Sequence, residues 1–187
     1  MARMNYITLI LGARGTGKSY YTINEIILKH PKKVLIVDTL DHPSYRAQGF
    51  QIVDIDSLSR WKSGVKRIMV NPVSIKEDLR KLCGSISNCL LIFEDATKYF
   101  RTNAPVELFN LIYDSKQKNM DILFMYHGFK KIVPELLDNA NFITMFKMEE
   151  KIEKYEDKIP RYEAIEAAYL KIEKSKNPYE KKTVIIN

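Results

Sequence analysis

Short, wholly apolar runs punctuate this chain, and the segments between them carry apolar residues at helical spacing. Tyr6-Ile7-Thr8-Leu9-Ile10-Leu11, Val34-Leu35-Ile36-Val37, Cys89-Leu90-Leu91-Ile92-Phe93, Ile122-Leu123-Phe124-Met125-Tyr126 and Asn141-Phe142-Ile143-Thr144-Met145-Phe146 predict strands. Runs this short and this apolar suit strands covered on both faces, as in a parallel sheet. Phe50-Gln51-Ile52-Val53 and Arg67-Ile68-Met69-Val70 predict two more, joined by a partly helical piece over 54–66, and Asn71-Pro72 closes the second. Helices are predicted from Tyr20 to Leu28, stopping at His30 before Pro31, and from Ser74 to Cys83. In the second, Ser74 caps, Glu77 follows three residues on, and Gly84 terminates. Val106 to Lys116 and a short Val133 to Leu137 segment begun by Pro134 complete the set, with Asp38 to Pro43 as a polar turn.

Strands alternating with helices over residues 5–147 predict an α/β fold with a doubly wound, mainly parallel sheet. Right-handed crossovers then bring the loops after the strands to one sheet edge, where ligands bind. A chain of 187 residues suits one core with a small appendage. We place the division at 149/150. After it, charges of both signs dominate, Ile165, Tyr169 and Ile172 predict a helix over 161–175, and Thr183-Val184-Ile185-Ile186 is a candidate edge strand. Packing on the core is the default role for this tail, with a partner contact as the alternative.

The first strand runs directly into Gly12-Ala13-Arg14-Gly15-Thr16-Gly17-Lys18-Ser19, which fits G-x-x-x-x-G-K-[ST], and a helical run starting with Tyr20 follows. Strand, glycine-rich turn and helix in that order make a phosphate-binding loop rather than a chance glycine turn. Gly12 through Tyr20 are the candidate nucleotide-binding residues: backbone N–H groups and the helix N-terminus face the anion, Lys18 reaches the terminal phosphates, and the Ser19 hydroxyl ligates Mg²⁺. The strand at 89–93 ends in Glu94-Asp95, where hydrolases of this kind place a metal carboxylate and a water-activating one. By position Glu94 goes to the metal and Asp95 to the water, with capping of the next turn as the plainer alternative. His127, at the tip of the 122–126 strand, is the candidate sensor of the γ-phosphate, or a residue that simply bonds neighbouring backbone.

The net charge of +7 makes an acidic partner such as nucleic acid plausible without establishing it, and Lys62, Lys66, Arg67, Lys130 and Lys131 are candidate phosphate grips, with scattered surface charge as the plainer reading of any single one. Cys83 and Cys89 have no spacing that suggests a metal site and read as ordinary thiols. No apolar run approaches the roughly 20 residues that span a bilayer, and the start Met1-Ala2-Arg3-Met4-Asn5 lacks the apolar core of a signal peptide. An intracellular protein is expected.

In this order the motifs resemble the FtsK/HerA-like P-loop ATPases, in particular the small viral genome-packaging ATPases. The resemblance rests on Gly12 to Ser19, the strand ending in Asp38, Leu90 to Ala96, the run Tyr113 to His127, and Val133-Pro134-Glu135-Leu136-Leu137-Asp138-Asn139-Ala140-Asn141. It implies an ASCE/RecA-like sheet, ATP and Mg²⁺ as ligands, and a ring, commonly a hexamer, that hydrolyses ATP to pull double-stranded DNA through its pore by backbone contacts. It further implies a host-cytoplasmic or virion-associated location and a capsid or membrane-vertex protein as a further partner. Family members often place an arginine before the sensor strand to reach a neighbour's site. Here Lys116 and Lys118 stand there, the nearest arginine is Arg101, and a lysine lacks the forked donors of arginine. A zonular-occludens-toxin-like ATPase for phage assembly is the alternative, although such proteins usually carry a transmembrane segment. A small-molecule kinase is weaker, because no arginine-rich lid is visible.

Overall fold

A computed structural model describes residues 5–29, 33–100 and 104–187. Among them β1 (Ile7–Leu11), β2 (Lys33–Asp38), β3 (Gln51–Ile52), β4 (Gly64–Met69), β5 (Leu90–Phe93), β6 (Asp121–Tyr126), β7 (Phe142–Met145) and β8 (Lys182–Ile185) form one sheet, in the order β3-β4-β2-β5-β6-β1-β7-β8. Every pairing is parallel except β7 with β8. This is the doubly wound α/β sheet expected, and β6 lies between β1 and β5, the arrangement of the ASCE class.

Period-two alternation divides each central strand between two apolar layers. Leu9, Leu11, Leu35, Val37, Leu91, Phe93 and Phe124 face a layer that includes Leu79 and Leu82 of α3 (Ile75–Ser85), Leu108 and Leu111 of α4 (Val106–Asp114), Leu136 and Leu137 of α5 (Pro134–Asp138), and Ile165, Tyr169 and Ile172 of α6 (Tyr162–Lys174). Ile10, Ile36, Ile92, Leu123 and Met125 face the other layer, with Ile23, Ile27, Phe146 and Tyr45 of α2 (Pro43–Ala47). Burial on both faces is why these strands read as unbroken apolar runs. Register places Leu11 opposite Tyr126, Val37 opposite Phe93 and Phe93 opposite Phe124. Gly12, Asp38, Glu94 and His127 therefore emerge along one edge.

Local details depart from the sequence reading. The helix after the glycine loop starts at α1 (Lys18–Tyr21) and widens to a π-helix over Thr22–Ile27, where Leu28 N–H donates to Ile23 O at 2.9 Å. Thr22, Ile23, Ile26 and Ile27 are β-branched side chains of the kind that crowd an α-turn. Its expected stop at His30 before Pro31 lies outside the described residues. Gly84 does not end α3, which runs to Ser85 and closes with Ile86 N–H on Leu82 O at 3.1 Å. Buried Ile86 leaves in an extended conformation, so no left-handed glycine is needed. Ser74 stands at the cap position, but its hydroxyl donates to Asp78 at 2.8 Å instead of accepting a helix N–H.

The strand expected at 67–70 starts at Gly64, and that at 50–53 shrinks to two residues. Residues 43–47, read as leaving a turn, form α2 behind the His42 cap. β8 joins the sheet itself as its last strand.

Arg67 is the clearest correction to the list of phosphate grips, because its side chain is 1% exposed and pairs with Asp38 at 2.9 Å and Asp41 at 2.7 Å. The alternation of β4 turns it inward, where it holds the turn after β2. Arg67→Ala is expected to cost about 3–5 kcal/mol, because Asp38, 2% exposed, would keep a buried charge without its cation. Urea unfolding monitored by circular dichroism measures this, and a loss below 1 kcal/mol would contradict the assigned role.

Candidate functional site

The loop between β1 and α1 is tied to both neighbours of its strand: Gly12 N–H donates to Tyr126 O at 3.2 Å and Ala13 N–H to Lys147 O at 2.8 Å. Gly12 passes so close to the chain after β7 that a Cβ would lie 2.6 Å from Phe146 Cβ, which explains why only glycine fits. Gly17 has φ +94°, the left-handed region that favours glycine, and this turn aims the first N–H groups of α1 into the loop. The Lys18 ammonium folds back to donate to Gly12 O at 2.6 Å and Ala13 O at 2.9 Å. Burial lowers its pKa, opposed by the charges of Glu94 and Asp95.

Across the cleft, Glu94 continues β5 by donating its N–H to Val37 O at 3.0 Å. Its carboxylate is buried between two hydroxyls: Ser19 Oγ lies 3.5 Å from Oε1, and Tyr45 OH donates to Oε2. Desolvation raises its pKa, while the Tyr45 bond and the charges of His42 and Lys18 oppose the rise. Asp95 adopts a left-handed conformation, φ 48°, which turns its carboxylate away from Glu94's partners toward Lys98 Nζ (3.3 Å) and His127 Nε2 (3.5 Å). Burial pushes Asp95 upward, but His127 and Lys98 outweigh it and hold the carboxyl at about 2. The two adjacent acids thus occupy different environments.

Lys18, Ser19, Glu94, Asp95 and His127 all line one cleft of about 600 Å³, with Arg14, Gly15, Gly17, Tyr20 and Asp38. Ala13 and Thr16 belong to the loop behind it, where Thr16 Oγ1 donates to Ala13 O at 2.8 Å. Lys116 and Lys118 are not brought to this cleft. They precede β6 at its far end, about 20 Å away at the usual rise per residue. Lys118 donates to the Cys83 carbonyl, whereas Lys116 is exposed. Arg101 lies outside the described residues.

Sequence reasoning missed Tyr45 and Lys98. Tyr45 was readable in outline, since His42-Pro43 is a helix-start signal, with Pro at the first position. Its contact with a residue 49 positions away was not. Lys98 stands three residues after Asp95, the spacing of one helical turn.

The donor set suits Mg²⁺. One hydroxyl and one carboxylate oxygen converge, and Mg²⁺ keeps several waters while taking one or two carboxylates plus substrate phosphates. No cluster of three or more His, Cys, Asp or Glu side chains that could hold a metal alone occurs among the described residues. No helix among them is long and apolar enough to cross a membrane.

No family model and no curated protein matches this chain. Solved structures do. The genome packaging NTPase B204 from Sulfolobus turreted icosahedral virus 2, in complex with sulfate, overlays with a TM-score of 0.77 at 15% identity, over 99% of this chain and 93% of its own. The same protein in complex with ATP-γ-S gives 0.74 at 16% identity, over 98% and 93%. B204 from Sulfolobus turreted icosahedral virus, described as the DNA-packaging ATPase, gives 0.73 at 20% identity, over 98% and 95%. At such identities the likeness is one of fold, and it extends over nearly the whole of each chain.

Proposed function

We propose that this protein is a Mg²⁺-dependent ATPase that translocates double-stranded DNA, of the viral genome-packaging kind. The observation that carries this reading is the convergence of Lys18, Ser19, Glu94, Asp95 and His127 on one cleft at the carboxyl edge of β1, β5 and β6. The similarity of the whole fold to packaging NTPases, one of them in complex with an ATP analogue, supports it.

In this reading the phosphates of ATP lie along the loop, and the Lys18 ammonium exchanges its two carbonyl partners for β- and γ-phosphate oxygens. Ser19 and Glu94 would hold Mg²⁺, which would supply positive charge to offset that of the phosphates. Tyr45 keeps one Glu94 oxygen occupied, leaving the other directed at Ser19. Asp95 orients the attacking water. Held at about 2, it is a weak base but remains an ionised acceptor, and a loose phosphoryl transition state asks for positioning more than for proton removal.

His127 then reports loss of the γ-phosphate. The turn after it carries exposed Lys130 and Lys131, and Glu150 grips the backbone N–H of Phe129 and, at 3.3 Å, of Lys130. A shift of His127 would move these lysines, which are placed to hold DNA phosphates without reading sequence. In a hexameric ring, exposed Lys116 is the trans-acting cation we favour. A capsid or membrane-vertex protein, and a host-cytoplasmic or virion-associated location, complete the reading.

ATPase rates with and without Mg²⁺ and double-stranded DNA, beside a sizing experiment in ATP and Mg²⁺, test it. Hydrolysis that requires Mg²⁺, rises with DNA and accompanies a ring-sized assembly is expected. Hydrolysis indifferent to DNA by a monomer would remove the translocase reading.

A further inference from the structure

A second cleft, of about 530 Å³, opens on the other side of Gly17. Its walls are aromatic: Tyr20 and Tyr179, 73% and 61% exposed, Tyr21 and buried Phe146. Glu25 and Lys181 supply its polar groups. The volume falls within the about 300–1,000 Å³ usual for small-molecule sites, and few polar groups among aromatic walls is their usual chemistry.

Two features tie this cleft to the phosphate loop. Gly17 and Tyr20 line both clefts, so a ligand whose phosphates occupy the first continues into the second at these residues. The Tyr179 ring also packs directly on the loop, since a Cβ on Gly17 would lie 3.1 Å from its Cδ1. The position of Tyr179 is built rather than accidental. Its N–H donates to Asn177 Oδ1 at 3.0 Å, and the Asn177 N–H donates to Ser175 Oγ at 3.1 Å, which folds the link between α6 and β8 back over the loop. Tyr21 is fixed edge-on to Phe146, ring centroids 5.7 Å apart, with Lys181 Nζ 4.9 Å above it.

We infer that this aromatic cleft is the nucleobase subsite of the nucleotide site, that it takes a purine between Tyr179 and Tyr20, and that the C-terminal segment is thereby part of ligand recognition. The polarity of the first cleft sets the direction: Glu94, Asp95 and His127, with Ser19 beside Glu94, mark its γ-phosphate end, and Gly17 and Tyr20 lead on into the aromatic cleft. A purine gains more than a pyrimidine here because its larger face covers more of the ring surface. The inference rests on the reading that a triphosphate occupies the loop.

Calorimetric titration of the full chain with ATP, CTP and inorganic tripolyphosphate, each with Mg²⁺, separates the two. The wild type should bind ATP at least about tenfold more tightly than tripolyphosphate, and more tightly than CTP. Tyr179→Ala should weaken ATP about tenfold and leave tripolyphosphate unchanged, while Tyr179→Phe keeps ATP affinity. Because Tyr179 is largely exposed, the alanine variant should melt like the wild type. Unchanged ATP binding in Tyr179→Ala, or an equal loss for ATP and tripolyphosphate, would overturn the subsite. A wild type that binds tripolyphosphate as tightly as ATP would overturn the subsite and leave the phosphate loop standing. Binding of none of the three would overturn both.

Discussion

Lys18→Ala is expected to lower ATP hydrolysis by about 10²–10³-fold, the cost of removing one preorganised donor from a transition state whose charge is spread over phosphate oxygens. The geometry explains why this should be a functional loss and not a folding one. Among the described residues the ammonium is bonded to the carbonyls of Gly12 and Ala13, so alanine takes this donor from Gly12 O, while Ala13 O keeps its bond from Thr16 Oγ1. It also removes a cation whose burial is unfavourable, as the lowered pKa records. These two changes oppose each other, and the melting temperature should stay within a few degrees of the wild type. Steady-state ATPase assays beside thermal melts check both parts. A Lys18→Ala protein that hydrolyses ATP at more than a tenth of the wild-type rate would mean that the nucleotide is processed elsewhere.

Much of this site could be read before any coordinates because its chemistry is local in sequence. The loop from Gly12 to Ser19 is a contiguous motif, and the pair Glu94-Asp95 is the polar end of an apolar strand, so both announce themselves by composition and position. The parallel sheet was legible for the same reason: burial on two faces leaves an unbroken apolar run in β1, β2, β5 and β6. What stayed hidden depends on contacts between distant segments. Arg67 looked like a surface cation because sequence gives no sign that Asp38 and Asp41 wait beneath it. Lys118 looked free for the same reason, and its amine is spent on the end of α3. Tyr179 is the strongest case, since it reaches Gly17 only through an asparagine turn after α6. A tail that charge composition sets apart from the core thus returns to pack on the phosphate loop and line the aromatic cleft beside it.

The different environments of Glu94 and Asp95 lead to the second large effect. Glu94→Gln is expected to lower hydrolysis by about 10²-fold or more, through loss of the carboxylate that would face Mg²⁺ beside Ser19, while raising thermal stability without nucleotide by a few degrees. Glutamine keeps the shape and can still accept from the Tyr45 hydroxyl, so packing is conserved. What changes is the charge, which lies buried among Tyr45, Ser19, His42, Asp38 and Lys18. Desolvation raises the Glu94 pKa above 4.5, so the folded protein holds this proton more tightly than the unfolded chain does. The wild type therefore loses stability as pH rises from about 4.5 through the raised value, and the full penalty is present above it. The stability gain of Glu94→Gln should be seen at pH 7 and fade as pH falls toward 4.5. Asp95→Asn should show the reverse sign, since His127 and Lys98 hold that carboxyl at about 2, and its ionised form stabilises the fold above its unfolded pKa of 3.8. Thermal melts across this pH range, with ATPase rates at pH 7, decide the matter. A Glu94→Gln protein that is less stable at pH 7 yet hydrolyses normally would place the carboxylate in the fold and not in the chemistry. Stability surrendered at one strand end to keep a buried carboxylate is the trade expected where a residue is held for function.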